Sequence, residues 1–374
     1  MQNEPGISRH ALAARTGIRL PTIINIITML RRKGAVTEKK VFEKRRGRRS
    51  LSLFINPSYK CSVGIEITGG ELLLVAVQYG GTTQEIQKIN FRLESLRNII
   101  KILKKFTLRI SAAGPDNFCG VAFAFPGFFD THHNRWRSSI PGVPEIAEAA
   151  VGLCRKMKWS FRMEKTFHTI ALSASRKYPD ETTALIELND GIGCCVIHKN
   201  GVYESQGGCE GEAGHLPVPG NQEKCGCGRI GCVETILGVP SIIESVKKLY
   251  RSHSGRTLCI PANRKIDSID FSFIVNTYRE GDKLIRSFIQ KRLLSLKYVL
   301  EPLILLQNPD RILLTGALTH FEPALIQFLD SFFAERAGDS LPSMRKTPIE
   351  IYPCPPGEMA RIAAAGLFSN PAMP

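Results

Sequence analysis

The sequence predicts an α/β protein in two parts, a small N-terminal winged helix-turn-helix over residues 1–58 and a larger two-lobed body over residues 59–374. Three observations carry this expectation. Positive charge is concentrated in residues 1–60, a helix pair there is followed by an arginine-tipped hairpin, and beyond Pro57 apolar strands ending in glycine turns alternate with helices.

Composition narrows the class. The chain has 374 residues, 43% hydrophobic and 22% charged, which excludes a disordered tail or a disulfide-stapled miniprotein. No window approaches the ~18 to 20 apolar residues of a membrane span, and the start MQNEPGISRH lacks the order of a secretion signal, so a cytoplasmic protein without a membrane partner is expected. Eleven cysteines, an odd number, without an export signal argue against a disulfide framework. Of the formal charge of +16, residues 1–60 hold 14 basic against three acidic side chains, leaving 36 against 31 for the rest. That asymmetry points to a DNA-binding head on a nearly neutral body.

In the head, Ser8 can cap a short helix through Thr16, Gly17 supplies a turn, and a second helix covers 20–32, with Ile23, Ile26, Ile27 and Leu30 forming one apolar stripe. The N-terminal end of that second helix offers Arg19, Thr22 and Asn25 to a major groove, with Ile24 available for a thymine methyl. Residues 35–42 and 51–55 read as two strands, and the KRRGRR loop between them presents Arg45, Arg46, Arg48 and Arg49 around Gly47, a wing suited to phosphates or a narrow minor groove. A duplex operator read by a homodimer, or a dimer of dimers, is the expected partner. Only seven residues precede Ser8, where winged helices ordinarily carry a further helix. Either the true start lies upstream or that helix is absent, with a loss of DNA affinity.

After a linker at Asn56-Pro57, strands are expected within 63–78, 119–130, 183–203 and 311–318, and helices over 96–109, 144–157, 241–251 and 282–306. Similar glycine turns in 63–78 and 183–203 suggest two related lobes, about 59–180 and 181–374, with a cleft between them. The most specific spacing lies in GEAGHLPVPGNQEKCGCGRIGCVE: Cys225, Cys227 and Cys232 with His215 make a closed four-ligand set of the kind that holds structural zinc, wrapped by Gly226, Gly228 and Gly231. Cys209 is a second candidate for the fourth ligand, and a group of redox-active thiols is the competing explanation.

With AFPGFFD (124–130), GEAGH (211–215), CGCGRIGCVE (225–234) and NPDRILLTGAL (308–318) in this order, and GRRSLSLFINP closing the wing, the chain resembles the ROK family of repressors, open reading frames and sugar kinases. The resemblance implies an actin-like, sugar-kinase fold and favours His215 over Cys209 as the zinc ligand. It also implies that Glu212, His215 and Glu234 hold a carbohydrate, a role that suits carboxylates able to accept paired hydroxyl hydrogen bonds.

Family kinases carry an E-N-D-A-N segment whose Asp is the general base; MEKTFHTIAL (163–172) puts Lys165 and Thr166 at the Asn and Asp positions, and a threonine cannot serve as that base at neutral pH. The first phosphate loop, D-x-G-G-T in the kinases, reads Glu66-Ile67-Thr68-Gly69-Gly70, and the late turn reads Thr315-Gly316-Ala317 in place of consecutive glycines. His168 or Asp190 could replace the base, although their spacing gives no support. The reading is therefore a DNA-binding transcriptional regulator, a repressor of carbohydrate-metabolism genes, whose non-catalytic kinase-like body senses a sugar or sugar phosphate. The alternatives are an ATP-dependent sugar kinase of the same family and a constitutive DNA-binding protein with a purely structural body.

Overall fold

The computed structural model describes residues 6–40, 51–68, 70–112, 115–130, 133, 135–138, 140–198, 201–202, 210–252, 266–336, 338 and 347–368. The wing arginines Arg45, Arg46, Arg48 and Arg49, together with Gly47, Gly69 and Cys209, lie outside the described residues.

The head is built as its sequence dictates. A two-residue strand β1 (Ile7–Ser8) leads into α1 (Arg9–Thr16), whose N-terminus is capped by Ser8 Oγ accepting from the Ala11 amide at 3.1 Å and whose end is turned by Gly17 at φ +67°. Helix α2 (Leu20–Arg32) carries Pro21 in its first turn and buries Ile23 and Ile27. Strands β2 (Val36–Lys40) and β3 (Leu51–Ile55) pair antiparallel, and β1 adds to the other side of β3. Ile7, Ile23, Ile27, Val36 and Leu53 form the small core. Glu38 accepts from Arg9 and Arg31, so these two arginines are engaged within the head.

The expected linker is a pinned joint. Asn56 donates to the Gly34 carbonyl at 2.8 Å, and a 3₁₀ turn over Pro57–Tyr59 follows. The Tyr79 amide bonds to the Pro57 and Lys60 carbonyls at 3.1 and 2.8 Å, and the Tyr79 ring stands edge-on between Tyr59 at 5.0 Å and Phe368 at 5.5 Å.

In the first half of the body, β4 (Cys61–Thr68), β5 (Glu71–Gln78) and β6 (Thr83–Asn90) form an antiparallel meander. Helix α3 (Leu96–Ala112), β7 (Phe118–Phe125), the short pair β8 (Phe128–Asp130) and β9 (Arg135–Arg137), α4 (Val143–Met157), β10 (Phe161–Lys165) and α5 (Thr166–Lys177) follow. The second half contains β11 (Thr183–Leu188), β12 (Ile192–His198), β13 (Gly201–Val202), α6 (Glu234–Leu237), α7 (Val239–Ser252), α8 (Phe271–Arg279), α9 (Lys283–Leu293), α10 (Lys297–Gln307), β14 (Arg311–Thr315), α11 (Glu322–Ala334), β15 (Ile349–Ile351) and α12 (Glu358–Gly366).

Both halves repeat one topology. The sheet orders β6-β5-β4-β7-β10 and β13-β12-β11-β14-β15 each join an antiparallel meander to two strands added in parallel, so the two glycine-turn hairpins noted in the sequence are equivalent. Strand β5 is covered on both faces: Leu72, Leu74 and Ala76 enter the core beneath α3 and α4, while Val75 and Val77 enter the core shared with α5 and α12. That second core contains residues of both sheets, including Ala122, Leu185 and Leu313, so α5 and α12 lie between the lobes. Helix α12, the last described element, packs on β4 of the first sheet so tightly that a Cβ at Gly64 would stand 2.0 Å from the Ala360 carbonyl oxygen. The single helix expected over 282–306 is instead α9 and α10 joined by a 3₁₀ turn at Leu294–Leu296, with Pro302 inside α10.

Candidate functional site

A cleft of about 520 Å³ opens between the lobes at the carboxyl ends of β4, β7 and β11. Its lobe 1 wall includes Thr68, Gly127, Arg135, Arg137 and Thr166; its lobe 2 wall includes Glu187, Asn189, Asp190, Glu212, His215 and Glu234.

The three residues expected to meet a sugar are brought together here. Glu212 and His215 flank a 3₁₀ turn over Ala213–His215, which is fastened to β12 by the Cys194 amide donating to the Gly211 carbonyl at 2.7 Å. Gly211 has φ +80°, and a Cβ there would lie 1.9 Å from the Cys194 carbonyl oxygen, so only glycine allows the approach. Glu234 begins α6, and its carboxylate occupies room left by Gly191 and Gly214, where added Cβ atoms would come within 3.0 and 3.1 Å. Burial pushes the Glu212 carboxyl up to about 7; Lys165 opposes the shift, and Glu234 and Glu210 add to it.

His215 uses its two nitrogens in different directions. Nε2 lies 3.8 Å from Glu212 Oε2, while Nδ1 lies 3.6 Å from Cys225 Sγ. The ligand atoms of His215, Cys225, Cys227 and Cys232 all lie within 4.8 Å of one another, and Cys227 Sγ and Cys232 Sγ are 3.7 Å apart. A tetrahedron with metal–sulfur bonds of ~2.3 Å has S···S edges of ~3.7 Å, so the donor set and its spacing fit a tetrahedral metal ion. The loop is held by bonds such as the Val218 amide to the Gly231 carbonyl at 2.7 Å and the Cys225 amide to the Arg229 carbonyl at 2.8 Å. Gly228 and Gly231 take φ +92° and +87°, whereas Gly226 is not among the positive-φ glycines.

The floor of the cleft is a network of polar side chains around Glu187. Thr166 Oγ1 donates to Glu187 Oε2 at 2.9 Å, and Asn189 Nδ2 donates to Glu187 Oε1 at 2.7 Å. Asn189 Oδ1 in turn accepts from the Ala317 amide at 2.7 Å, which ties in the late glycine turn. Burial pushes Glu187 above the usual carboxylate range, against the hydrogen bonds from Thr166 and Asn189. The Lys165 ammonium donates to the Glu210 carbonyl and carboxylate at 3.0 and 2.9 Å. Asp190 lines the cleft and lies 3.8 Å from Arg92 of lobe 1; burial raises its carboxyl and Arg92 opposes the shift. His168 is buried 3.9 Å from Glu210, and its imidazole is lowered to about 4 by burial, helped by Lys165. Glu66, within β4, is buried in the protein, where it accepts from the Gly357 and Ala360 amides at 3.1 and 3.0 Å at the start of α12.

A sequence model of the ROK family matches residues 62–351. The chain belongs to the ROK family. The xylose repressor of Caldicellulosiruptor bescii is 21% identical to this ROK protein over 342 residues, covering 88% of this chain and 84% of the relative. The crystal structure of a ROK family transcriptional regulator, a homologue of Escherichia coli MLC, superposes with a TM-score of 0.74 at 21% identity, covering 97% of this chain and 91% of that one. A ROK family glucokinase from Streptomyces griseus, in complex with glucose and AMPPNP, gives 0.66 at 16% identity over 82% of this chain and 98% of its own. The fold is thus that of ROK repressors and sugar kinases. No helix among the described residues is long and apolar enough to cross a membrane.

In the head of this ROK protein, Arg19, Thr22 and Asn25 are exposed near the start of α2, spaced by three residues, with Ile24 also exposed. Sequence reasoning missed Glu187, Asn189 and the cleft-lining pair Arg135 and Arg137. Arg137 bonds to Asp130 at 2.5 Å and, with His133 and against the cost of burial, holds that carboxyl well below its usual range. Glu187 carries no local signal, because it occurs once within the apolar strand TALIEL.

Proposed function

We propose that the protein is a sugar-responsive transcriptional repressor whose residues 1–58 bind operator DNA and whose body, residues 59–374, binds a carbohydrate or sugar phosphate without phosphorylating it. The observation that carries this reading is the division within one cleft: Glu212, His215 and Glu234 line it together, while Thr166, at the position of the family's base, is engaged with Glu187. Carboxylates and an imidazole suit a polyol, whereas transfer of a phosphoryl group needs a base for the hydroxyl proton and donors for the triphosphate. Glu187 and Asp190 add two carboxylates to the same cleft, and carboxylates cannot donate to a triphosphate when ionised.

Zinc is the metal this reading assigns to His215, Cys225, Cys227 and Cys232. Four protein ligands leave no position for a catalytic water, so the ion would be structural, holding the loop and fixing the imidazole with Nε2 toward the cleft. Arg19, Thr22 and Asn25 are assigned to base edges, and Arg45, Arg46, Arg48 and Arg49 to phosphates, in a cytoplasmic homodimer or dimer of dimers on a two-fold site. Ligand binding acts on DNA affinity to the extent that it favours one arrangement of the lobes over another.

The test is a thermal-shift screen of sugars and sugar phosphates, followed by calorimetry with the best hit on the parent and on Glu234→Ala. Binding is expected to be lost in the variant, and a coupled assay with ATP and the same carbohydrate is expected to stay at background. Metal-dependent ADP release with that carbohydrate would make the protein a sugar kinase instead, and binding without any effect on DNA affinity would leave the body structural.

A further inference from the structure

Helix α3 contains five basic residues and no acidic one. Its apolar stripe of Ile99, Leu103, Phe106 and Ile110 packs into the lobe 1 core, leaving Arg97, Lys101, Lys104 and Lys105 exposed. Arg109 is held by Glu85 through two bonds of 2.6 and 2.7 Å, whereas among the described residues the other four make no ion pair. Neighbouring like charges on a helix are destabilising, and an exposed helix ordinarily offsets them with acids one turn away. No such acid is present within α3, although the body beyond residue 60 is nearly balanced at 36 basic against 31 acidic residues.

The position of this face is a second, independent observation. The C-terminal end of α3 lies beside the start of the body, where Cys61 Sγ donates to the Ile110 carbonyl at 3.9 Å, directly after the joint that holds the head. Lys60 sits close enough to Cys119 to act on its thiol, and Leu108 and Ser111 of α3 share a shallow depression with Cys119, Lys158 and Trp159. Lys156 and Lys158, at the end of α4, are exposed. The basic surface therefore runs along α3 and reaches the end of lobe 1 nearest the head at the helix's C-terminal end.

We propose that this face of lobe 1 is a second duplex-DNA surface, which binds phosphates flanking the segment contacted by the head. The proposal rests on the reading of the head as a DNA-binding module. Duplex DNA is the occupant that fits, because it presents one negative charge per ~1.7 Å of axis, enough for every exposed side chain of the patch, and because the helix that carries the patch ends beside the joint that holds the head. Lysines on a helix surface, with no shaped pocket among them, recognise charge and not sequence, so the patch adds affinity without changing operator preference.

The experiment measures binding of the full chain to a 40-base-pair random-sequence duplex as a function of salt. The parent is compared with a patch variant (Lys101→Gln, Lys104→Gln, Lys105→Gln, Lys156→Gln), the same four positions changed to arginine, and a head variant (Arg45→Ala, Arg46→Ala, Arg48→Ala, Arg49→Ala). Each lost phosphate contact lowers the slope of log affinity against log salt by about 0.9, so the patch variant, with four lysines neutralised, should lose about 3 to 4 in slope and on the order of a thousandfold in affinity near ~0.1 M salt, with the arginine form unchanged. Melting temperatures check that the variants fold. Parental slope and affinity in the patch variant would overturn the proposal. So would unchanged DNA binding combined with lost binding to polyglutamate, which would assign the face to an acidic protein. A head variant equal to the parent beside a weakened patch variant would refute the head and leave the patch standing, and a parent without salt-sensitive binding would end both.

Discussion

Replacing Glu66 by glutamine should remove a large part of the protein's pH-dependent stability. Glu66 is fully enclosed, and burial raises its carboxyl from 4.5 to about 7, even though the Ala360 and Gly357 amides favour the anion and Glu187 opposes it. The folded state therefore keeps the proton to a higher pH than the unfolded chain does. The stabilisation is complete below pH 4.5, falls as pH rises, and is lost through about pH 7. At 1.36 kcal/mol per unit, the interval corresponds to about 3 kcal/mol. Glutamine cannot ionise, but it turns an NH₂ toward one of two backbone donors, which costs about 1 to 3 kcal/mol at every pH. In urea unfolding at half-unit steps from pH 5 to 8, the variant should be the weaker protein at pH 5, and the gap should close or reverse by pH 8. Easing the repulsion on Glu187 acts in the same direction. Parallel stability curves with a constant offset would show that Glu66 does not hold its proton in the folded state, and the reasoning would be wrong.

Two further outcomes test other parts of the molecule. Protein purified without chelator should carry one zinc per chain by elemental analysis, and the Cys225→Ala/Cys227→Ala double variant should lose the metal and melt at a lower temperature; full retention in the variant would refute the ligand set. Gly64→Ala should destabilise by more than the ~1 to 3 kcal/mol of ordinary overpacking, because the new methyl meets the Ala360 backbone carbonyl and not a movable side chain; an unchanged urea midpoint would contradict the seating of α12 on β4.

What was legible in the sequence was local. Ser8, Gly17 and the stripe of Ile23 and Ile27 delimit the head's helices by rules that act within a turn or two, and the structure follows them. The grouping of His215 with Cys225, Cys227 and Cys232 was legible because its four side chains fall within one short loop. The floor of the cleft was not, since the bond between Thr166 and Glu187 joins the start of α5 to β11 through the tertiary fold, and Glu66 finds its amide partners 291 and 294 residues away. The break between α9 and α10 left no trace because Leu294 keeps near-helical angles, φ −56° and ψ −26°, so the apolar period runs through it. The pinning of the head escaped for the opposite reason: Asn-Pro looks like a flexible connection until Tyr59, Tyr79 and Phe368 are seen to meet.

That aromatic joint also sets how the protein would measure distance along DNA. A head strung on a loose tether samples many positions, and two such heads accept half-sites at various separations with only a gradual loss of affinity. With Tyr79 wedged between the connecting turn and Phe368, just beyond α12, the head is aimed by the body, and its reach is fixed by packing instead of by chain length. Two bodies docked together would then act as a calliper of set span, for which inserting half a helical turn between half-sites is a mismatch in both distance and facing, and a whole turn a mismatch in distance alone.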